Sequence, residues 1–148
     1  MKELSLSIPG NPIAKKRPRF ARRGKSVTTY NAQVSEENNM RRVVMAQLPK
    51  MWTPIKNPIK ITIIFYMKRP KAHYRSGKYA NILKNNAPLI HSSKPDIDNL
   101  QKMIYDCFNQ LVWSDDSLVC ESCTRKEYSE SPRAEIIIVE VNEHGARA

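Results

Sequence analysis

Ile59-Lys60-Ile61-Thr62-Ile63-Ile64-Phe65-Tyr66-Met67 is the stretch that decides how this chain folds. Ile59, Ile61, Ile63, Phe65 and Met67 recur with the two-residue period of a β-strand, so one face carries a row of large apolar side chains. The opposite face, Lys60, Thr62, Ile64 and Tyr66, is itself half apolar, which predicts a central strand with neighbours on both sides. Pro54 and Pro58 end the element that precedes it.

Toward the N-terminus, residues 31–48 contain neither Gly nor Pro. Glu36 and Glu37 lie near the start of this segment, Arg41 and Arg42 follow, and Met40, Val44 and Leu48 fall at i+4 steps, the signature of an amphipathic helix. The segment before it, Lys15-Lys16-Arg17-Pro18-Arg19-Phe20-Ala21-Arg22-Arg23-Gly24-Lys25, is polar, basic and broken by Pro and Gly, and reads as a loop whose charge suits phosphates. Leu4, Leu6 and Ile8 alternate with Ser5 and Ser7 and stop at Pro9-Gly10, a first strand with one buried face.

Toward the C-terminus, residues 68–95 show little periodicity but carry Lys68, Arg69, Lys71, Arg75, Lys78, Lys84 and Lys94 with His73, His91, Tyr74 and Tyr79. A loop of this length in a small domain is functional or mobile, and tyrosines interleaved with cations suit nucleic acid. A second helix is predicted from Asp98 or Asn99 to Leu111. Leu100, Met103, Ile104, Cys107, Phe108 and Leu111 make its apolar face, and Asp98, Lys102, Asp106 and Asn109 its polar one. Ser114-Asp115-Asp116-Ser117 is a turn; strands follow at 118–128 and 135–141. The order β-α-β-loop-α-β-β predicts one small α/β (α+β) domain spanning 1–148, with a mixed sheet of about four strands, two main helices and a basic loop at 68–95.

With 148 residues, 41% of them hydrophobic, the chain can bury one core but not two. Its 25 Lys plus Arg against 14 Asp plus Glu give a formal charge of +11, which attracts polyanions at long range and makes nucleic acid the first partner to consider. No apolar run approaches the roughly 18 residues of a membrane span, and MKELSLSIPG lacks the features of a secretory signal, so the expectation is a cytoplasmic protein without a membrane partner. Cys107, Cys120 and Cys123 include one C-x-x-C spacing but no second pair to complete a zinc site, and they read as reduced thiols.

The chemistry concentrates in Lys94-Pro95-Asp96-Ile97-Asp98-Asn99-Leu100-Gln101-Lys102. Two carboxylates stand two residues apart where an extended segment enters a helix, and alternation puts both on one side. At about 100° per residue, Lys102 lies one turn beyond Asp98 on the same face, an ammonium close to the carboxylate pair. Asp115 and Asp116 occupy the turn after the helix. Oxygen ligands gathered without Cys or His favour Mg²⁺ or Mn²⁺, and such an ion reverses the repulsion between carboxylates and phosphodiester and activates water for hydrolysis. Taken singly, each feature has an ordinary structural explanation: an N-cap, an i,i+4 ion pair, a turn. An EF-hand is excluded because its Gly and terminal Glu are missing.

The pattern Asp96-x-Asp98-Asn99-Leu100-x-Lys102, followed by Trp113-x-Asp115-Asp116, resembles the RusA family of Holliday junction resolvases, common in bacterial prophages. The likeness extends to the opening strand with Pro12-Ile13-Ala14-Lys15-Lys16-Arg17-Pro18-Arg19, to the central strand and to the two closing strands. It implies Asp96, Asp98 and Asp116 as metal-binding catalytic carboxylates, Asp115 as a further candidate beside them, and Lys102 as the essential lysine. It implies Mg²⁺ as cofactor with Mn²⁺ as a substitute, no small-molecule cofactor, and a homodimer that nicks opposing strands of a four-way junction symmetrically in DNA recombination and repair. The basic loop at 68–95 departs from the shortest members.

From charge, Lys15, Lys16, Arg17, Arg19, Arg22, Arg23, Lys68, Arg69, Lys71, Arg75 and Lys94 are expected to hold DNA, together with Arg125 and Lys126. The alternatives are a noncatalytic protein that binds junctions or duplex through the same surface, and a nuclease for other branched DNA.

Overall fold

The computed structural model describes residues 3–144. Its strands and α-helices run β1 (Glu3–Pro9), β2 (Arg19–Arg23), β3 (Ser26–Tyr30), α1 (Val34–Gln47), β4 (Ile59–Lys68), α2 (Ile97–Phe108), β5 (Val119–Ser129) and β6 (Arg133–Glu140). Four strands form one sheet in the order β1-β6-β4-β5. β4 is antiparallel to β6 and parallel to β5, so the sheet is mixed, and α2 supplies the crossover that a parallel pair requires. This is the small α+β domain expected, with β4 in an interior position.

Residues paired across strands point to the same face, and the pairs Leu6↔Ile136 and Ile63↔Ile136 set one apolar row across three strands. Ile59, Ile61 and Ile63 of β4 are fully buried, as is Ile138 of β6. Against that face α2 lays Leu100, Met103, Ile104, Cys107 and Phe108, whereas α1 contributes only Met40 and Val44. Each fully buried aliphatic side chain stabilises by about 1.5–3 kcal/mol, so α2 is the better anchored helix, and its N-terminus is correspondingly fixed on the sheet.

The basic segment expected to be a loop instead contains a hairpin. β2 and β3 pair from Arg19↔Tyr30 to Arg23↔Ser26 around Gly24-Lys25, with Gly24 at φ +59°, the left-handed conformation that two-residue hairpin turns favour. Its side chains are exposed almost throughout, Phe20 at 72% and Val27 at 62%. No buried face imposes a period of two on the sequence there.

Both helices are shorter than their patterns. Gln33 N–H donates to Asn31 Oδ1, a local turn that delays α1 until Val34, and Gln110 at φ +63° stops α2 from reaching Leu111. The loop at 68–95 is not free either. Arg75 N–H donates to Ile82 O and Lys84 N–H to His73 O, folding the loop on itself, while Tyr128 N–H to Leu89 O and His91 N–H to Lys126 O lay its end along β5. Among the described residues no helix is long and apolar enough to cross a membrane.

Candidate active site

α2 begins at Ile97 with Asp96 in the N-cap position, and the Asp96 side chain makes no capping hydrogen bond. Among the described residues Asp98 Oδ1 accepts only from the adjacent Asn99 N–H, at 2.9 Å. Both carboxylates line an open cleft whose walls come from the 90–94 segment and from Thr124, Arg125 and Lys126 of β5. The helix N-terminus adds its partial positive charge to the same place. The N-cap position falls to Asp96 and not to Asp98 or Asn99, so the capping explanation for Asp98 fails, and so does its ion-pair explanation: Lys102 is exposed, and no ion pair joins the two among the described residues. The Lys102 ammonium, one turn beyond Asp98, is exposed to solvent.

Asp116 lies elsewhere. Its Oδ1 accepts a 2.7 Å hydrogen bond from the indole Nε1 of Trp113. Burial lifts its carboxyl above the usual range, the Trp113 bond offsets part of that lift, and the negative charges of Asp106 and Asp115 add to it. Asp106 is eight residues beyond Asp98, about 12 Å along the helix axis. Asp116 is thus held by Trp113 within electrostatic reach of Asp106, and it is not among the residues lining the cleft. Among the described residues no three His, Cys, Asp or Glu side chains stand close enough to hold a metal ion, so the expected set of Asp96, Asp98 and Asp116 is not gathered. Asp115 is exposed and accepts from Ser117 N–H at 2.8 Å, an ordinary turn cap that also holds its carboxyl below its usual value.

Lys15 joins the two helices. Its ammonium pairs with Glu37 of α1 and, at 3.1 Å, with Asp106 of α2, while its backbone N–H donates to Asn99 O at 2.9 Å. Burial alone would lower the Lys15 pKa, but these partners raise it above the ordinary value. For Glu37, burial would raise the carboxyl and the bonds from Lys15 and Asn31 outweigh it, leaving it below its usual range. Lys15 is therefore engaged inside the fold, in place of the phosphate contact expected. Arg69 is engaged likewise, donating to Pro88 O at 2.7 Å and lying over the Tyr128 ring. Lys126 donates to two backbone carbonyls in place of the phosphates expected of it. Lys16, Arg17, Arg19, Arg22, Arg23, Lys68, Lys71, Arg75 and Lys94 are exposed.

Two features carried no signal in the sequence. Gln101 of α2 donates to Tyr105 Oη and Ser122 Oγ and accepts from Thr124 Oγ1, tying α2 to β5 beside the cleft. His91 is buried with no partner for Nδ1; burial first, then the nearby Lys126 charge, hold its pKa below the ordinary value. Both depend on side chains that converge only after the crossover places β5 beside β4.

An acidic pair at a helix N-terminus, set on a mixed sheet and rimmed by cations, has the chemistry to hold a hard cation against a phosphate. Residues 9–139 match the family described as Endodeoxyribonuclease RusA, and the chain belongs to that family. It is also 30% identical, over 139 residues covering 94% of this chain and 97% of the other, to a protein of Bacillus subtilis (strain 168) described as "Uncharacterized protein YqaN".

Proposed function

We propose that this protein is a Mg²⁺-dependent endodeoxyribonuclease that resolves four-way DNA junctions by paired symmetric nicks, in recombination and repair, acting as a homodimer in the bacterial cytoplasm. The observation that carries the reading is the pair Asp96 and Asp98: two exposed carboxylates facing one cleft, neither occupied by a cap or an ion pair among the described residues. A pair of hard oxygen donors that leaves room for water and a phosphate fits Mg²⁺, which needs only one or two carboxylates from the protein, and Mn²⁺ substitutes. When bound there, such an ion would polarise the scissile phosphate and lower the pKa of the attacking water.

The chain's own residues orient and hold. Asp96 and Asp98 are carried by the anchored helix α2, so their positions follow the core. Lys94 and Arg125 at the cleft, and the exposed cations Arg19, Arg22 and Arg23 of the hairpin and Lys71 and Arg75 of the loop, hold DNA phosphates on either side. Lys102 lies one turn from Asp98 and offsets charge on the phosphate once DNA displaces its solvent. Asp116 is the third acidic group, joining the metal site when ion and DNA bind.

That separation of Asp116 from the pair favours a second reading, a noncatalytic relative that binds junctions through the same basic surface. An end-labelled synthetic junction and a matched duplex, incubated with Mg²⁺ or EDTA, separate the two. Paired nicks at symmetry-related positions in the junction, absent with EDTA, support resolution; tight binding with no scission in Mg²⁺ or Mn²⁺ leaves the binding protein.

A further inference from the structure

We infer that Lys126 is the positioning residue for Asp96 and Asp98, holding the turn that carries them against the sheet. This rests on the proposed active site above. Lys126 stands on β5 in register with Phe65 of β4, so its side chain emerges on the helix-bearing face of the sheet. Phe65 enters the core, 1% exposed. Lys126, one strand nearer the edge, reaches the residues that lead into α2: its ammonium donates to Ser93 O at 2.8 Å and to Pro95 O at 2.8 Å. Its own carbonyl accepts from His91 N–H at 3.2 Å. One residue therefore grips both ends of the 91–95 turn.

Among the described residues no other side chain donates to its carbonyls; His91 at its start is buried against the Tyr128 ring and lies 3.4 Å through Nε2 from the Ser93 hydroxyl. Pro95 O belongs to the residue immediately before Asp96, and the N-cap position of α2 lacks a side-chain bond of its own. The entry to α2, where both carboxylates sit, takes its register from the lysine. A lysine ammonium has three donors, and two are occupied by backbone oxygens. Charge alone assigns Lys126 to a DNA phosphate; the geometry assigns it to the backbone. Groups that orient a metal-binding carboxylate without touching the ion typically change affinity or activity by about 10–100-fold when removed.

The two assignments differ in a measurable way. A lysine that contacts a phosphate contributes about one unit to the slope of log affinity against log salt, and its removal lowers that slope. A lysine that holds the turn leaves the slope alone and changes the chemistry. Full-length wild type, Lys126→Met and Lys126→Arg are compared in three measurements: junction affinity in EDTA over a range of salt, single-turnover cleavage over a range of Mg²⁺, and amide hydrogen exchange at residues 96–100. The expected result is an unchanged salt slope for Lys126→Met, with cleavage slowed by about tenfold or more and half-saturation moved to higher Mg²⁺. Faster exchange at 96–100 should accompany it, and Lys126→Arg should recover most of the rate and protection. A slope reduced by about one unit with wild-type exchange assigns Lys126 to phosphate and overturns the inference. Wild-type rate and exchange in Lys126→Met also overturn it. If Lys126→Met does not fold, Lys126→Gln, which can still donate one bond, takes its place in the same comparison. If the wild type cuts nothing, the nuclease reading fails, and the exchange at 96–100 alone decides whether Lys126 holds the turn.

Discussion

The indole Nε1 of Trp113 donates a 2.7 Å hydrogen bond to Oδ1 of Asp116, and the ring that donates it is fully buried between Tyr105 and Phe108. A half-buried carboxylate is thereby fixed to the core instead of to its own turn. Replacing Trp113 by Phe keeps most of the apolar volume and removes the donor. A hydrogen bond to a charged group contributes about 1.5–3 kcal/mol, so Trp113→Phe should unfold at clearly lower denaturant while Trp113→Phe in an Asp116→Asn background should cost less. Equal costs in the two backgrounds, measured by urea denaturation, would show that the bond is not formed.

The Lys15 bridge gives the protein an acid limit. The Glu37 carboxyl titrates below its ordinary value in the folded state, so its contribution to stability is present above the unfolded value near ~4.3 and is lost as pH falls through the lower folded value. Glu37→Gln should flatten the fall in denaturation midpoint between neutral and acid pH, and Lys15→Met should cost about 2 kcal/mol at pH 7 by leaving Glu37 and Asp106 without their shared partner. A Lys15→Met midpoint equal to wild type contradicts the bridge.

Burial pushes the Cys107 thiol up to about 11, whereas Cys120 and Cys123 are exposed. At pH 8 a thiol reagent should modify two cysteines quickly and the third only after denaturant is added. The β4–β5 register shifts at Cys120, but three residues of strand still set Cys120 and Cys123 roughly 10 Å apart, beyond the span of a disulfide, so oxidation should give no internal disulfide on a non-reducing gel with mass analysis.

Much of this architecture was legible because burial writes a period into sequence. The Ile59 to Met67 alternation located the interior strand, and the α2 pattern from Leu100 to Phe108 located the helix that fixes the acidic pair. The β2–β3 hairpin was illegible for the converse reason, since a ribbon such as Phe20, Arg22, Val27 and Thr29 with solvent on both sides needs no alternation. At the site, adjacency in sequence was enough to bring Asp96 and Asp98 to one cleft. It carried no information on the partners of Asp116, Lys15 and Lys126, because a carboxylate held by Trp113 and an ammonium on β5 acquire their neighbours only from tertiary packing.

The hairpin's exposure makes a clean binding test. Arg22→Ala with Arg23→Ala removes two exposed cations from a ribbon that buries little, so the thermal midpoint should hardly move. The slope of log affinity against log salt for a junction should fall by about two units at most, close to one for each phosphate no longer neutralised. An unchanged slope removes the hairpin from the DNA surface.

The most direct test of the acidic pair is single-turnover cleavage of a four-way junction by Asp96→Asn and Asp98→Asn, alongside their junction affinity in EDTA. Both variants should bind as tightly as wild type or tighter, since each loses a negative charge facing phosphate, and both should cut more slowly by a factor on the order of 100 or more at saturating Mg²⁺. Cleavage at the wild-type rate by either variant, with the same Mg²⁺ dependence, would contradict the assignment of that carboxylate to the metal and to the chemistry.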